Sequence, residues 1–381
     1  MARGDVTDVK DQIHEYADPD TGALVRRLTA DGSDNDSLYF TSTSFIGDGA
    51  DRVVFRSDRS GSWEFYLMEI PEGRLVQLTQ SPTAGTSRGC VDPGGRLFFH
   101  DGRLLKALAL DTMQEEELYA LPEGFRPALP TCTADGSHVA FAYVEEIPTS
   151  TETGRIYSTM AERYYQHPTS VIVRVDTANG EAQAVWGEPT WFSHVLIHPT
   201  RPDLILFCHE GGSHVHQRMW TVDLADGMPR RPKPLFRQHL GESCCHEYFT
   251  REGEVGFQCT VRAGAEMLNY NCFVRCDGHW LRQFLLPGPR PGHIQSNSDN
   301  SLVIGDRAHL GPDDREGGAF LSLITHAGGR GRLTRLCRHD TSWKTQTSHP
   351  HPIFSPDDRW GLFSSDAGGA CNVYMVDVTS I

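Results

Sequence analysis

Four histidines, His194, His246, His293 and His351, recur at spacings of 52, 47 and 58 residues, and each opens a segment of one kind. The segments read HVLIHPTRPDLILF, HEYFTREGEVGF, HIQSNSDNSLVIGD and HPIFSPDDRWGLFSSD: an imidazole, a turn rich in Pro, Asp, Asn or Gly, then an apolar run. Neutral imidazole is a common metal ligand and titrates near physiological pH. Four of them in one register predict a site, and a metal site first. The densest stretch is QTSHPHP, Gln346–Pro352. His349 and His351 are two apart, so extended backbone puts them on one face. Pro350 and Pro352 stiffen the segment. With His293, three imidazoles suit a divalent transition metal, and Gln346 can add a neutral oxygen. A shell without thiolate or carboxylate suits an open catalytic site better than structural zinc, and it keeps the ion's full charge for an anionic ligand.

His246, in GESCCHEYF beside Glu242 and Glu247, is then left over as a general base. Arg218, in HQRMW ahead of a strand, supplies a fixed cation for a carboxylate or for developing negative charge. Metal, base and arginine together suit proton abstraction beside a carboxylate. On a uronate, loss of the α-proton followed by loss of the β-oxygen substituent cleaves a glycosidic bond by elimination. Serine hydrolysis lacks its G-x-S-x-G elbow, and no pair of acids is singled out for a glycosidase. Two other readings stand beside the lyase: a non-catalytic propeller that binds oligosaccharide or protein partners, and a metal-dependent uronate hydrolase or epimerase.

The elements that must position these residues are short strands. The 381 residues include 37 Gly and 22 Pro, with few long helical patterns. A period of about 40–60 residues with several strands each marks a β-propeller. Seven units are expected in a single domain spanning 1–381, with blades over about 36–381 and innermost strands near Arg52–Arg56, Arg96–His100, His138–Tyr143, Leu204–Cys208, Glu254–Cys259, Ser301–Gly305 and Trp360–Ser364. The last unit stops one strand short after Val373–Val378, and Asp18–Thr29 (DPDTGALVRRLT) reads as the strand that completes it and locks the ring. A residue just before each innermost strand then lies at the channel mouth, so the four histidines converge. Insertions near Glu145–His167 and Asp306–Gly318 read as loops or short helices over one face.

The formal net charge of −15 argues against nucleic acid and would repel an anionic substrate at long range, so such a substrate needs a local basic pocket. The ten cysteines show no CxxC pattern and read as reduced, buried thiols. MARGDVTDVKDQIHEY has no apolar core, and no stretch approaches the roughly 20 apolar residues of a membrane span, so a cytoplasmic protein with no membrane partner is expected.

RHDTSWKTQTSHPHPIFSPDDRWGLFSSD resembles the C-terminal signature of the oligogalacturonate lyases, which are seven-bladed propellers. CHEGGSHVHQRMW, GESCCHEYF and GHIQSNSDNSLVIGD resemble three further blocks of that family in the same order, and DPDTGALVRRLT resembles its opening. The resemblance implies manganese bound by His293, Gln346, His349 and His351, His246 as the base taking the C5 proton, and Arg218 binding and polarising the substrate. It implies β-elimination of short oligogalacturonides. His194, His209 and Arg262 are the candidate substrate contacts. This chain departs from the family where Asp36-Ser37 replace a His-Arg pair, where Thr41 to Thr43 replace Gln-Lys, and where the basic loop after the fifth inner strand is reduced to Val261–Glu266, with Arg262 its one cation. Retained elimination, on short oligogalacturonides or a related uronate oligosaccharide, is the expectation.

Overall fold

The computed structural model describes residues 2–150, 159–307 and 317–380, and it is built almost wholly of strands. These form six sheets. The largest joins two four-stranded units, Glu242–Leu286 and Ile294–Arg338, through the lone parallel bridge Leu285↔Arg330. Every other pairing is antiparallel, as short turns between consecutive strands require.

In each unit one edge strand faces the edge strands of the other units. These are Asn35–Ser37, Cys90–Val91, Thr131–Cys132, Phe192–His198, Glu242–Phe249, Ile294–Ser296 and Ile353–Phe354; residues of the last six, with Thr41–Asp48 after the first, line a cavity of about 460 Å³. The strands expected to be innermost, such as Arg52–Ser57 and Trp360–Ser365, are instead second from the centre. Phe55, for example, pairs with Ser37 on one side and Tyr66 on the other. The reason is burial. A strand paired at both edges and covered on both faces gives an unbroken apolar run, and every residue of Arg52–Ser57 after the first is buried. The true inner strands are mostly two or three residues long, too short to show a period.

Neighbouring sheets pack face to face through aromatic and branched side chains, such as Phe65 against Phe99, with ring centroids 5.5 Å apart. Each such fully buried ring contributes about 1.5–3 kcal/mol relative to an exposed one. The two ends of the chain meet: Leu24–Arg27 pairs antiparallel with Asn372–Asp377, Val25 opposite Val376, and His14–Ala17 adds outside it. Of the two insertions, the first contains the helix Met160–Gln166, while residues 151–158 and 308–316 lie outside the described residues. All ten cysteines are free and most are buried. No helix among the described residues is long and apolar enough to cross a membrane.

Candidate functional site

His194 and His246 sit on inner strands, His293 and His351 lie one and two residues before theirs, and a shared backbone device aims three of the four. His194, His246 and His351 have φ of 46°, 54° and 46°. At His194 and His246 the register of the inner strand slips, between Ser193 and Leu196 and between Cys245 and Tyr248. A bulge with a residue in the left-handed region turns that side chain out of the alternating pattern. Left-handed backbone is disfavoured for a residue with a Cβ, and its recurrence at matching positions marks a functional constraint.

Phe40 is the centre of the arrangement. Its ring, fully buried, lies within 5.2–6.2 Å of the rings of His194, His246, His293 and His351. Tyr39 beside it contacts His351 at 4.8 Å, and its hydroxyl lies 3.2 Å from His194 Nε2.

His293, His349 and His351 bring three ring nitrogens within 4.8 Å of one another, and all three residues are buried. His293 Nδ1 lies 2.6 Å from Asp306 Oδ2, and its backbone N–H donates to Asp306 Oδ1 at 2.8 Å. With Nδ1–H donating, Nε2 is left with the lone pair, the arrangement by which a carboxylate orients a ligating histidine. Gly292 permits this approach, since a Cβ there would stand 2.6 Å from Asp306 Oδ1. Burial, only partly opposed by Asp306, pushes His293 down to about 4. Burial likewise holds His351 well below its usual range, with His293 and Arg88 adding to the effect. Both rings are therefore neutral, as ligands must be. His351 Nε2 is buried with no hydrogen-bond partner among the described residues, an expense that a bound cation removes. These residues fit a divalent transition metal. Gln346 shares the turn, its carbonyl accepting from Arg88 Nη2 at 3.2 Å and from the His349 N–H at 3.4 Å.

His246 lies beside this triad, its ring 4.7 Å from that of His293. Its Nδ1 is 3.0 Å from Gln258 Oε1, and burial together with Arg290 pushes it down to about 3. It is thus an unprotonated imidazole near neutral pH.

Arg218 is buried and bound by two carboxylates. Nε and Nη2 donate to Glu247 at 3.0 and 3.2 Å, and Nη1 donates to Glu210 at 2.9 Å. His194 Nδ1 lies 2.9 Å from Glu247 Oε1, which links the two. His194, Cys208 and Glu247 also cluster within 4.8 Å. Glu247 is already committed to Arg218, however, and burial pushes the Cys208 thiol well up while it donates to the Ser193 carbonyl at 3.0 Å. This second cluster is hydrogen-bonded structure.

Asp36 is fully buried and ties Arg56 (2.8 and 2.9 Å) to Arg88 (2.5 Å). Asp36→Asn would leave two guanidinium groups uncompensated. A loss of about 3–5 kcal/mol is expected, because removing one partner of a buried pair strands the others; an unchanged melting temperature would contradict it.

Of the expected site residues, the structure brings together His194, His246, His293, His349 and His351, with Gln346 in the adjoining turn and Arg218 behind His194. It places His209 and Arg262 apart. His209 stacks on Phe192 and Trp220 and lies 3.3 Å from Glu188, in a crevice of about 220 Å³ that also includes Trp191. Arg262 is exposed near the end of Val255–Ala263. Asp306 was missed, although it was recoverable: hairpin register pairs Ile294 with Gly305, which sets His293 opposite residue 306. Arg290 and the central role of Phe40 had no comparable signal.

Comparison with known proteins gives a consistent result. A family model described as oligogalacturonate lyase matches residues 1–381. The chain is 28% identical over 382 residues to an oligogalacturonide lyase of Pectobacterium atrosepticum and 28% identical over 380 residues to an oligogalacturonate lyase of Dickeya dadantii, covering 96% of each chain in both cases. A solved oligogalacturonate lyase in complex with manganese superposes with a TM-score of 0.86 at 29% identity, over 99% of this chain and 98% of that one.

Proposed function

We propose, from the premise that this chain belongs to the oligogalacturonate lyase family, that it cleaves short oligogalacturonides or a related uronate oligosaccharide by β-elimination. The seven strand units are then the blades of one propeller domain, closed by the pairing of Leu24–Arg27 with the last strand. The observation that carries the reading is the buried triad His293, His349 and His351 beside a separate, neutral His246.

His293, His349 and His351, with Gln346, would hold manganese, the metal in the solved relative. Bound there, it supplies positive charge to the substrate carboxylate and so acidifies the proton on C5. His246 accepts that proton. The electron pair left on C5 forms the C4–C5 double bond, the C4–O bond breaks, and the departing oxygen takes up the proton that His246 removed, directly or through solvent, so no water is added across the cleaved linkage. Arg218 faces the carboxylate from behind His194. Three of its five N–H groups are taken by Glu210 and Glu247, which leaves two for substrate among the described residues. Phe40 and Tyr39 close the floor and keep water from the reacting carbon.

The test is purified protein with manganese, digalacturonate and a panel of other uronate disaccharides. The readouts are ultraviolet absorbance of the conjugated unsaturated uronate and product masses. Growth of that absorbance, with masses summing to the substrate, is the expected result. A signal from another uronate alone would move the substrate, and no signal from any would overturn the lyase reading. Asp306→Asn gives a second check on the metal-holding residues. It should weaken manganese binding about 10- to 100-fold, read by calorimetric titration, and an unchanged affinity would remove Asp306 from its orienting role.

A further inference from the structure

We infer that Arg290 is a carboxylate-binding residue of this site, meeting the C6 carboxylate of the sugar that loses its C5 proton. The inference rests on the lyase reading and adds a cation to it.

Charge accounting around the histidine cluster singles Arg290 out. Arg218 is shared by two carboxylates, Glu210 and Glu247, so that corner carries more negative than positive charge. Arg56 and Arg88 share Asp36, and Arg88 also donates to the carbonyls of Ser37 and Gln346. Among the described residues, Arg290 is bonded only to uncharged groups. Its Nε donates to Thr260 Oγ1 at 3.1 Å, and its Nη1 donates to Gln258 Oε1 at 3.0 Å and lies 3.3 Å from His246 Nδ1. Its Nη2 has no hydrogen-bond partner among the described residues.

A half-buried guanidinium without a counter-ion is costly, and an anionic ligand relieves the cost. In a chain of net charge −15, such a group is also what an anionic substrate needs locally. The guanidinium fork matches a carboxylate in two-point fashion. Its position fits the reaction. C5 is bonded directly to the carboxylate carbon, so the group that takes the carboxylate must lie beside the base that takes the C5 proton. Arg290 is that neighbour of His246.

The backbone also prepares it. Arg290 lies in Pro287-Gly288-Pro289-Arg290-Pro291-Gly292, directly before His293. Prolines on both sides fix φ and reduce the ordering cost of binding. The segment therefore supplies, from the connection after Arg282–Leu286, a cation beside Thr260 of the strand Val255–Ala263.

The experiment compares wild type, R290Q and R290K, with and without manganese. Turnover of digalacturonate is measured on the loaded protein, and digalacturonate binding to chelator-stripped protein is measured by calorimetry. Metal content and melting temperature are recorded for each. R290Q should lower kcat/KM, and weaken binding to the stripped protein, by about 10- to 100-fold, the range for a charge-assisted contact. R290K should recover part of both, with metal content and melting temperature unchanged. Turnover and binding in R290Q equal to wild type would overturn the inference while leaving the lyase reading intact. Equal loss in R290Q and R290K, accompanied by lost metal, would reduce Arg290 to a structural role. Absence of turnover in wild type with any uronate would overturn the lyase reading, and this inference with it.

Discussion

His246→Ala should lower kcat by about 10²- to 10⁴-fold, the range for a positioned general base, while leaving bound manganese unchanged. The two halves of that result come from separate features. Retention of metal follows from grouping: the three close ring nitrogens are those of His293, His349 and His351, and His246 is not among them. Loss of turnover follows from the state of its ring. Gln258 Oε1 takes the Nδ1–H, which leaves the lone pair on Nε2, and burial with Arg290 keeps the ring unprotonated. Alanine offers no acceptor near the C5 proton. Metal analysis beside single-turnover kinetics reads both halves. A His246→Ala protein that has lost its metal would make His246 a ligand and leave the site without a base, whereas one that turns over normally would place the proton elsewhere.

His351→Ala should abolish both manganese binding and turnover. Removing it leaves His293 and His349 as the imidazoles of the triad, and it removes the buried Nε2 that has no protein partner among the described residues. The side chain is 1% exposed and packed against Tyr39 at 4.8 Å and His293 at 4.1 Å, so truncation also opens a cavity. Leu- or Phe-sized cavities cost about 2–5 kcal/mol, and a imidazole-sized one falls at the lower end. Thermal melts without metal therefore separate packing from ligation: the variant should melt slightly below stripped wild type and gain nothing on adding manganese. Chelation of wild type should reproduce the activity loss without the packing loss. Full activity after chelation would sink the metal model.

The histidine register was legible because its residues are rare, polar and fixed in a repeat. The grouping of His293, His349 and His351 was legible because Pro350 and Pro352 leave His349 and His351 few conformations. The identity of the inner strands was not. Ile353–Phe354 and Cys90–Val91 are too short to carry a period, and the long apolar runs belong to the strands beside them. The left-handed backbone at His194, His246 and His351 had no local signal either, since no glycine or asparagine stands at those positions. Arg218 was singled out, but Glu210, eight residues before it, and Glu247, 29 residues after it, meet it only in the fold, so its divided charge was invisible. Arg290 was passed over for the complementary reason: what distinguishes it is that no carboxylate among the described residues pairs with it, which only three dimensions reveal.

The pairing of the early strand Leu24–Arg27 with the last strand, Asn372–Asp377, bears on the order of assembly. Thr29 Oγ1 donates to Asn372 Oδ1 at 2.9 Å across 343 residues of chain, so during synthesis the early strand waits for nearly the whole polypeptide before its partner exists. Such distant pairings form slowly. His349 and His351 belong to the unit that this late pairing completes, and His293 to the one before it. On the proposed ligand set, the capacity to take up metal therefore arises at the end of synthesis, in one step with that pairing. A nascent or C-terminally truncated chain, however well its early sheets have formed, would then hold no ion and perform no chemistry on sugars around it.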